Sequence, residues 1–309
     1  MMRLIGHEAI RESMASRFRE DRLAHALLFT GPPGVGKCLV ANELAQVVVC
    51  REDPSPCRKC DRCLRVAAGS HPDVRLLAPA SGKKDIGVEL ARDIKHFVHL
   101  ATVDSPCKVV VIDQASRLTV AAQNALLKTL EEPPGRAIII LVTDSPGGLL
   151  ATVRSRCQRV GFGPLDDEAL RAILEDHGVD AIASDEFVQF THGSPGRAFE
   201  IHKLIDSGEI DRLESSIAGL QDGGYVSIVK FVDEAGRTEQ EMTSRLDFLE
   251  EILQHKLSES VLAGEIDADT IDQRLRALAI IAKSRRLLRR RNPNRPLLAE
   301  ATALKLASL

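Results

Sequence analysis

Short runs of β-branched and aliphatic residues alternate with helical stretches through the first half of the chain. AHALLFT, which runs up to Gly31, and DVRLLAP, KVVVID and AIIILVT are continuous apolar segments of strand length, the pattern of strands buried on both faces. Between them, VELARDIKHFVHLA and VAAQNALLKTLEE carry apolar residues three and four apart, as on amphipathic helices. Strand and helix in turn predict an α/β fold with a parallel sheet covered on both sides. Beyond RVGFGPLDDEALRAIL no long β-branched run recurs, and helical stretches follow one another. The change puts a boundary within Gly161–Pro164. A second, near Asp206-Ser207-Gly208, separates a small helical module from a larger helical domain, giving an expected organisation of 1–163, 164–207 and 208–309.

A length of 309 residues agrees with more than one core. With 44% hydrophobic and 28% charged residues the composition is that of a soluble globular protein, and a net charge of -3 does not mark a nucleic-acid binder, so an anionic partner must meet a local patch. The N-terminal MMRLIGHEAIRESM contains acidic residues and no apolar run of signal-peptide length, and nothing approaches the roughly 18 apolar residues that span a bilayer. A cytoplasmic protein with no membrane partner is expected. Seven cysteines in that reducing compartment point to metal ligands or buried thiols.

The stretch GPPGVGKCLVANELAQ, between an apolar strand and a helix-forming segment, has the form of a phosphate-binding loop, with Gly31, Gly34, Gly36 and Lys37 in the pattern G-x-x-x-x-G-K. A Gly-rich turn without a ligand is the alternative. Such loops place serine or threonine where Cys38 stands; a soft thiol is a poor ligand for hard magnesium. In KVVVIDQASRL, Asp113 ends an apolar run as the acidic member of a nucleotide site, or as a helix cap, but the next residue is Gln114. An amide takes up no proton at neutral pH, so the carboxylate that would polarise an attacking water is missing. Both departures strike the same reaction and predict a chain that does not turn over ATP, while leaving room for ATP or ADP held weakly.

Cys50, Cys57, Cys60 and Cys63 follow the spacing C-x6-C-x2-C-x2-C, which lets four thiolates enclose one tetrahedral ion with no open position, a structural zinc site. A redox pair of Cys57 and Cys60 is the alternative and leaves the other two idle. Arg51, Arg58, Lys59 and Arg62 are expected to offset the tetrathiolate charge. Cys107 and Cys157 are expected to behave as small hydrophobes. Late in the chain, Lys283, Arg285, Arg286, Arg289, Arg290, Arg291 and Arg295 form a basic cluster, read either as a phosphate-contacting patch or as a solvated helix end. Aromatic content of 3% offers little for base stacking.

Taken together, HALLFTGPPGVGK, the four-cysteine insertion, VVVIDQASRLTVAAQNALLKTLEEPP, TVRSRCQRVGF and GSPGRA resemble the bacterial clamp-loader family of AAA+ proteins over residues 3 to about 205. The resemblance implies an AAA+ P-loop NTPase-type domain with a zinc module at 50–63, a small helical lid and a C-terminal helical collar. It implies that Ser155-Arg156-Cys157, just before the short strand QRVGF, presents Arg156 across a subunit boundary as an arginine finger, with Arg154 and Arg159 as internal competitors. Thr143 and Arg197 match the positions of two phosphate sensors, though in a subunit without hydrolysis they would simply join domains; Ser194 and Pro195 suit the cap and first position of the helix carrying Arg197. The family further implies a stator, not an enzyme on its own but accessory to DNA polymerase III. Its implied partners are the motor subunits gamma/tau and the delta subunit in a pentameric hetero-oligomer, and the sliding clamp and primer–template DNA through that assembly. In the collar, the apolar stripe of LDFLEEILQHKL is expected to face partner helices. An active ATPase motor and a zinc-bearing DNA-binding module outside replication are the alternatives.

Overall fold

Each residue of AIIILVT is buried in the structure, and so is each residue of ALLFT and KVVVI, because these segments form the middle of one sheet. A computed structural model describes residues 4–79, 85–133, 135–179, 187–188, 191–208, 212, 215, 225–236, 238–262, 268–288 and 294–308. The five strands are β1 (Ala26–Thr30), β2 (Val74–Leu77), β3 (Lys108–Ile112), β4 (Ala137–Thr143) and β5 (Gln158–Gly161). All neighbours pair in parallel, in the order β2-β3-β4-β1-β5. Leu27 of β1 therefore lies between Ile140 of β4 and Gln158 of β5.

Parallel strands need crossovers, and helices supply them on both faces. On one face α1 (Glu8–Arg19), α2 (Lys37–Val49) and α3 (Asp61–Ala67) bury Met14, Leu44 and Val66 against Leu27, Phe29, Val109 and Ile140. On the other, α4 (Val88–His99), α5 (Val120–Glu131) and α6 (Ala151–Arg154) bury Ile94, Leu126 and Val153 against Leu28, Val110, Ile139 and Leu141. Alternate residues of one strand thus feed two cores. DVRLLAP departs from the sequence expectation. Only 74–77 is strand, and Arg75 and Leu76 are exposed, because β2 is an outer strand of the sheet rather than a central one.

After β5 come α7 (Asp167–Asp176) and α8 (Pro195–Asp206), then α9 (Tyr225–Glu234), α10 (Glu239–Leu262), α11 (Ala268–Leu288) and α12 (Arg295–Ala307). The chain divides into two compact units, Met1–Ala198 and Phe199–Leu309. The second has its own core of Phe231, Leu246, Leu249, Ile281, Leu288 and Ala303, with a buried hydroxyl pair, Ser284 Oγ and Thr302 Oγ1, 2.7 Å apart. Leu246 and Leu249, part of the stripe expected to face partner helices, are buried in this core of the same chain. Among the described residues no helix is long and apolar enough to cross a membrane.

Candidate functional site

The candidate site lies where the central strands end. β1 stops at Thr30, the loop 31–36 turns, and α2 begins at Lys37 with Gly36 in the left-handed region at its N-cap (φ 96). All six carbonyls of the loop accept a hydrogen bond. Lys37 Nζ donates to Gly31 O (2.9 Å) and Pro32 O (2.5 Å), Ser194 Oγ to Pro33 O (2.9 Å), the Gly196 N–H to Gly34 O (3.0 Å), His7 Nε2 to Val35 O (2.8 Å) and the Val40 N–H to Gly36 O (3.0 Å). A carbonyl only accepts, so the His7 proton in that contact sits on Nε2.

Two glycines make the approach of α8 possible. A Cβ on Gly34 (φ +74) would stand 2.4 Å from Ser194 Oγ, and one on Gly196 would stand 2.8 Å from Gly34 Cα. Ser194 also caps α8, its Oγ accepting from the Arg197 N–H at 3.3 Å, so the expected cap residue holds the loop 31–36 as well. Arg197 follows in the first turn of α8. Pro32 and Pro33 carry no N–H, which leaves the later loop amides and the open first turn of α2 as the donors an anion would meet.

Lys37 is buried, with its ammonium turned onto its own loop. Desolvation holds it below the ordinary lysine value, against the raising influence of Asp144 and Asp113. Cys38 reaches solvent at the start of α2, yet dehydration by the cleft walls and the charge of Asp113 push its thiol up to about 11. A thiol is in any case a soft donor, so it does not replace the oxygen with which a serine or threonine would meet hard magnesium.

Asp113 follows β3, and its Oδ1 accepts from the Gln114 N–H at 2.8 Å. Gln114 is exposed in a left-handed turn (φ 50). Thr143 is buried at the end of β4, where its Oγ1 accepts from the Ser145 N–H at 3.0 Å. Of the competing arginines, Arg159 is bonded through Nε to Thr30 Oγ1 (3.1 Å), and Arg154 ends α6 on the surface.

Arg156 lies just beyond α6, with its side chain 31% exposed. Its Nε and Nη2 donate to Glu131 Oε1, at 2.7 Å for Nε, and Nη1 donates to Thr152 O at 2.8 Å. The segment that leads into α6 is fixed by a residue the sequence reading did not single out. Gln123, buried on α5, donates to Leu118 O (2.9 Å) and Gly148 O (3.2 Å) and accepts from the Leu150 N–H (2.7 Å). Its one legible signal was an amide on the core-facing side of an amphipathic helix.

Cys50, Cys57, Cys60 and Cys63 come together with their sulfurs all within 4.8 Å of one another. Tetrahedral zinc with Zn–S near 2.3 Å sets its sulfurs about 3.8 Å apart, so four thiols gathered this closely are consistent with one zinc ion. The Cys57 N–H points at Cys50 Sγ (3.4 Å) and the Cys60 N–H at Cys57 Sγ (3.3 Å), which favours thiolates. The surrounding arginines also take carboxylate partners. Arg58 pairs with Glu43 of α2, which also binds Arg11 of α1, while Arg62 grips Asp104 through two bonds (2.9 and 2.8 Å) with Arg51 and Arg65 near the same carboxylate. Carboxylates of the sheet domain meet these guanidiniums, and the pairs fasten the cysteine module to α2 and to the turn before β3.

That turn is itself held from inside. Asp73, fully buried, accepts from the N–H groups of Val103, Asp104 and Ser105, from Ser105 Oγ (3.0 Å) and from the buried Lys108 Nζ (2.8 Å). Burial pushes this carboxyl up, but the Lys108 bond and the converging amides outweigh it and bring it down to about 2. Cys107 and Cys157 are buried as expected, and burial lifts both thiols to about 11. In the second unit Arg285 pairs with Asp247 and Glu250, both at 2.9 Å, so it is engaged within its own unit; Lys283 and Arg286 are exposed, and 289–291 lie outside the described residues.

Comparison with known proteins gives this arrangement a family. Residues 6–166 match the family described as DNA polymerase III, delta subunit. The chain is 33% identical over 253 residues to DNA polymerase III subunit delta' of Haemophilus influenzae, covering 80% of this chain and 76% of that protein. It is 34% identical over 193 residues to the Escherichia coli delta' subunit, covering 62% and 58%. With subunit tau of Bacillus subtilis it shares 32% identity over 237 residues, 75% of this chain but 37% of tau. A DNA polymerase III gamma subunit-related protein of Thermotoga maritima has the same fold, with a TM-score of 0.50 at 20% identity over 96% of this chain and 99% of that one. The family match displaces the reading as a zinc-bearing module outside replication. The chain belongs to the delta-prime family of DNA polymerase III clamp-loader subunits.

Proposed function

We propose that this chain is a non-hydrolysing stator of the DNA polymerase III clamp loader and supplies Arg156 to the ATP site of an adjacent gamma/tau motor subunit. In that role it joins a hetero-oligomeric ring with motor and delta subunits, a pentamer by family resemblance, and helps to load the sliding clamp on primed DNA. The observation that carries the reading is the nucleotide cleft, where Gln114 follows Asp113, a neutral thiol at Cys38 replaces the magnesium-holding hydroxyl, and Lys37 is bonded to its own loop. A reaction that depends on charge stabilisation and an activated water finds neither a hydroxyl at position 38 to hold magnesium nor a carboxylate at position 114 to polarise the water. A guanidinium suits the trans role because it stays charged and forks toward phosphate oxygens. Thr143 and Arg197 then serve as domain ties, and nucleotide at Gly31, Gly34, Gly36 and Lys37 is bound weakly at most. Zinc at the four cysteines is structural, and 164–207 and 208–309 act as lid and collar.

A second reading, an active motor, is favoured by the intact glycines and lysine of the loop and by the match to tau. Purified chain with ATP and magnesium separates the two. The stator releases no phosphate above the buffer blank, and turnover at a motor's rate removes the proposal. In the reconstituted loader, Arg156→Ala lowers ATP hydrolysis while assembly stays intact; unchanged hydrolysis removes Arg156 from the reaction.

A further inference from the structure

Arg156 does not stand free. Of its five N–H donors, three are held within the chain: the Nε–H and one on Nη2 by Glu131 Oε1, and one on Nη1 by Thr152 O. One donor on each terminal nitrogen remains for an outside acceptor, on a side chain that is 31% exposed. The two anchors belong to different elements, since Glu131 is the last residue of α5 and Thr152 lies in α6. The guanidinium plane is therefore fixed from two directions with its unused donors left over.

We infer that Glu131 is the positioning residue of the arginine finger, holding the guanidinium by its Nε edge so that the two remaining donors are set in advance for the phosphate oxygens of a neighbouring subunit. The inference rests on the proposed trans role of Arg156 and adds to it the device that orients the group. Immobilising a long side chain at an interface costs about 0.5–1.5 kcal/mol, and both arginine and its neighbour site benefit when that ordering precedes assembly. Arginine held this way acts by geometry, so the acceptor oxygen at position 131 matters more than its charge.

The test is steady-state ATP hydrolysis by the loader reconstituted with variants of this chain. Glu131→Ala lowers kcat roughly 2- to 13-fold, the range that this ordering free energy converts to, with KM for ATP little changed. Glu131→Gln keeps an acceptor oxygen and retains most of the rate. In an Arg156→Ala background Glu131→Ala has no further effect. A wild-type or raised rate in Glu131→Ala overturns the inference while leaving the finger intact, provided Arg156→Ala alone is slow. An equal loss in the Arg156→Ala background also overturns it, since Glu131 would then act elsewhere. If Arg156→Ala itself is fully active, the trans role fails first and the positioning role with it.

Discussion

Replacing Asp73 by asparagine tests whether the cysteine module is held to the sheet from within. Asp73→Asn keeps the shape but removes the charge opposite Lys108, whose side chain is 3% exposed and whose Nζ lies over the Phe97 ring at 4.7 Å. Breaking a buried pair by removing one partner costs about 3–5 kcal/mol, because the other charge is left in a medium that cannot solvate it. The pH dependence gives an independent figure. The Asp73 carboxyl falls from an ordinary 3.8 to about 2 in the folded chain. At about 1.4 kcal/mol per unit the ionised pair contributes on the order of 2 kcal/mol. A depressed carboxyl stabilises fully above its unfolded value, near 4, and loses that contribution as pH falls through about 2. Urea unfolding of both proteins at several pH values should therefore show a gap of a few kcal/mol at pH 7 that narrows by roughly 2 kcal/mol between pH 5 and pH 2. Lys108→Met in the same background should recover part of the loss, since a neutral pair leaves no orphaned charge. A gap under about 1 kcal/mol at pH 7, or one that stays constant down to pH 2, would refute the reasoning.

Two further outcomes are expected. Purified chain should contain one zinc by metal analysis, and Cys60→Ser should lose it and melt at a lower temperature; full zinc in that variant would contradict a four-thiolate site. Gly34→Ala should destabilise the first unit by about 1–3 kcal/mol in urea, because a Cβ there meets Ser194 Oγ at 2.4 Å on a positive-φ backbone, and an effect below about 0.5 kcal/mol would mean that α8 does not seat on the loop as described.

Much of the site was legible because its signals are local. The glycines and lysine of 31–37, the four cysteines, and the cap at Ser194 each depend on neighbours a few residues away. The reading went astray where a segment's surroundings decide. DVRLLAP looks like a central strand and is an outer one, and Leu246 and Leu249 of the LDFLEEILQHKL stripe lie in the chain's own core, because hydrophobicity says that a face is covered without saying by what.

By itself the sequence determined the alternation of strand and helix, the grouping of thiols and the thiol and amide that stand at 38 and 114. These are matters of periodicity, spacing and residue type, fixed before the chain folds. Only the tertiary structure decided which partner each charge takes. Arg156 meets Glu131 across 25 residues, Ser194 meets the loop carbonyl of Pro33 across 161, and the arginines beside the cysteines bind Asp104 and Glu43. Charges and hydrogen-bonding groups act over a few ångströms in space, so their pairings follow from how sheet and helices close around them and leave no periodic trace along the chain.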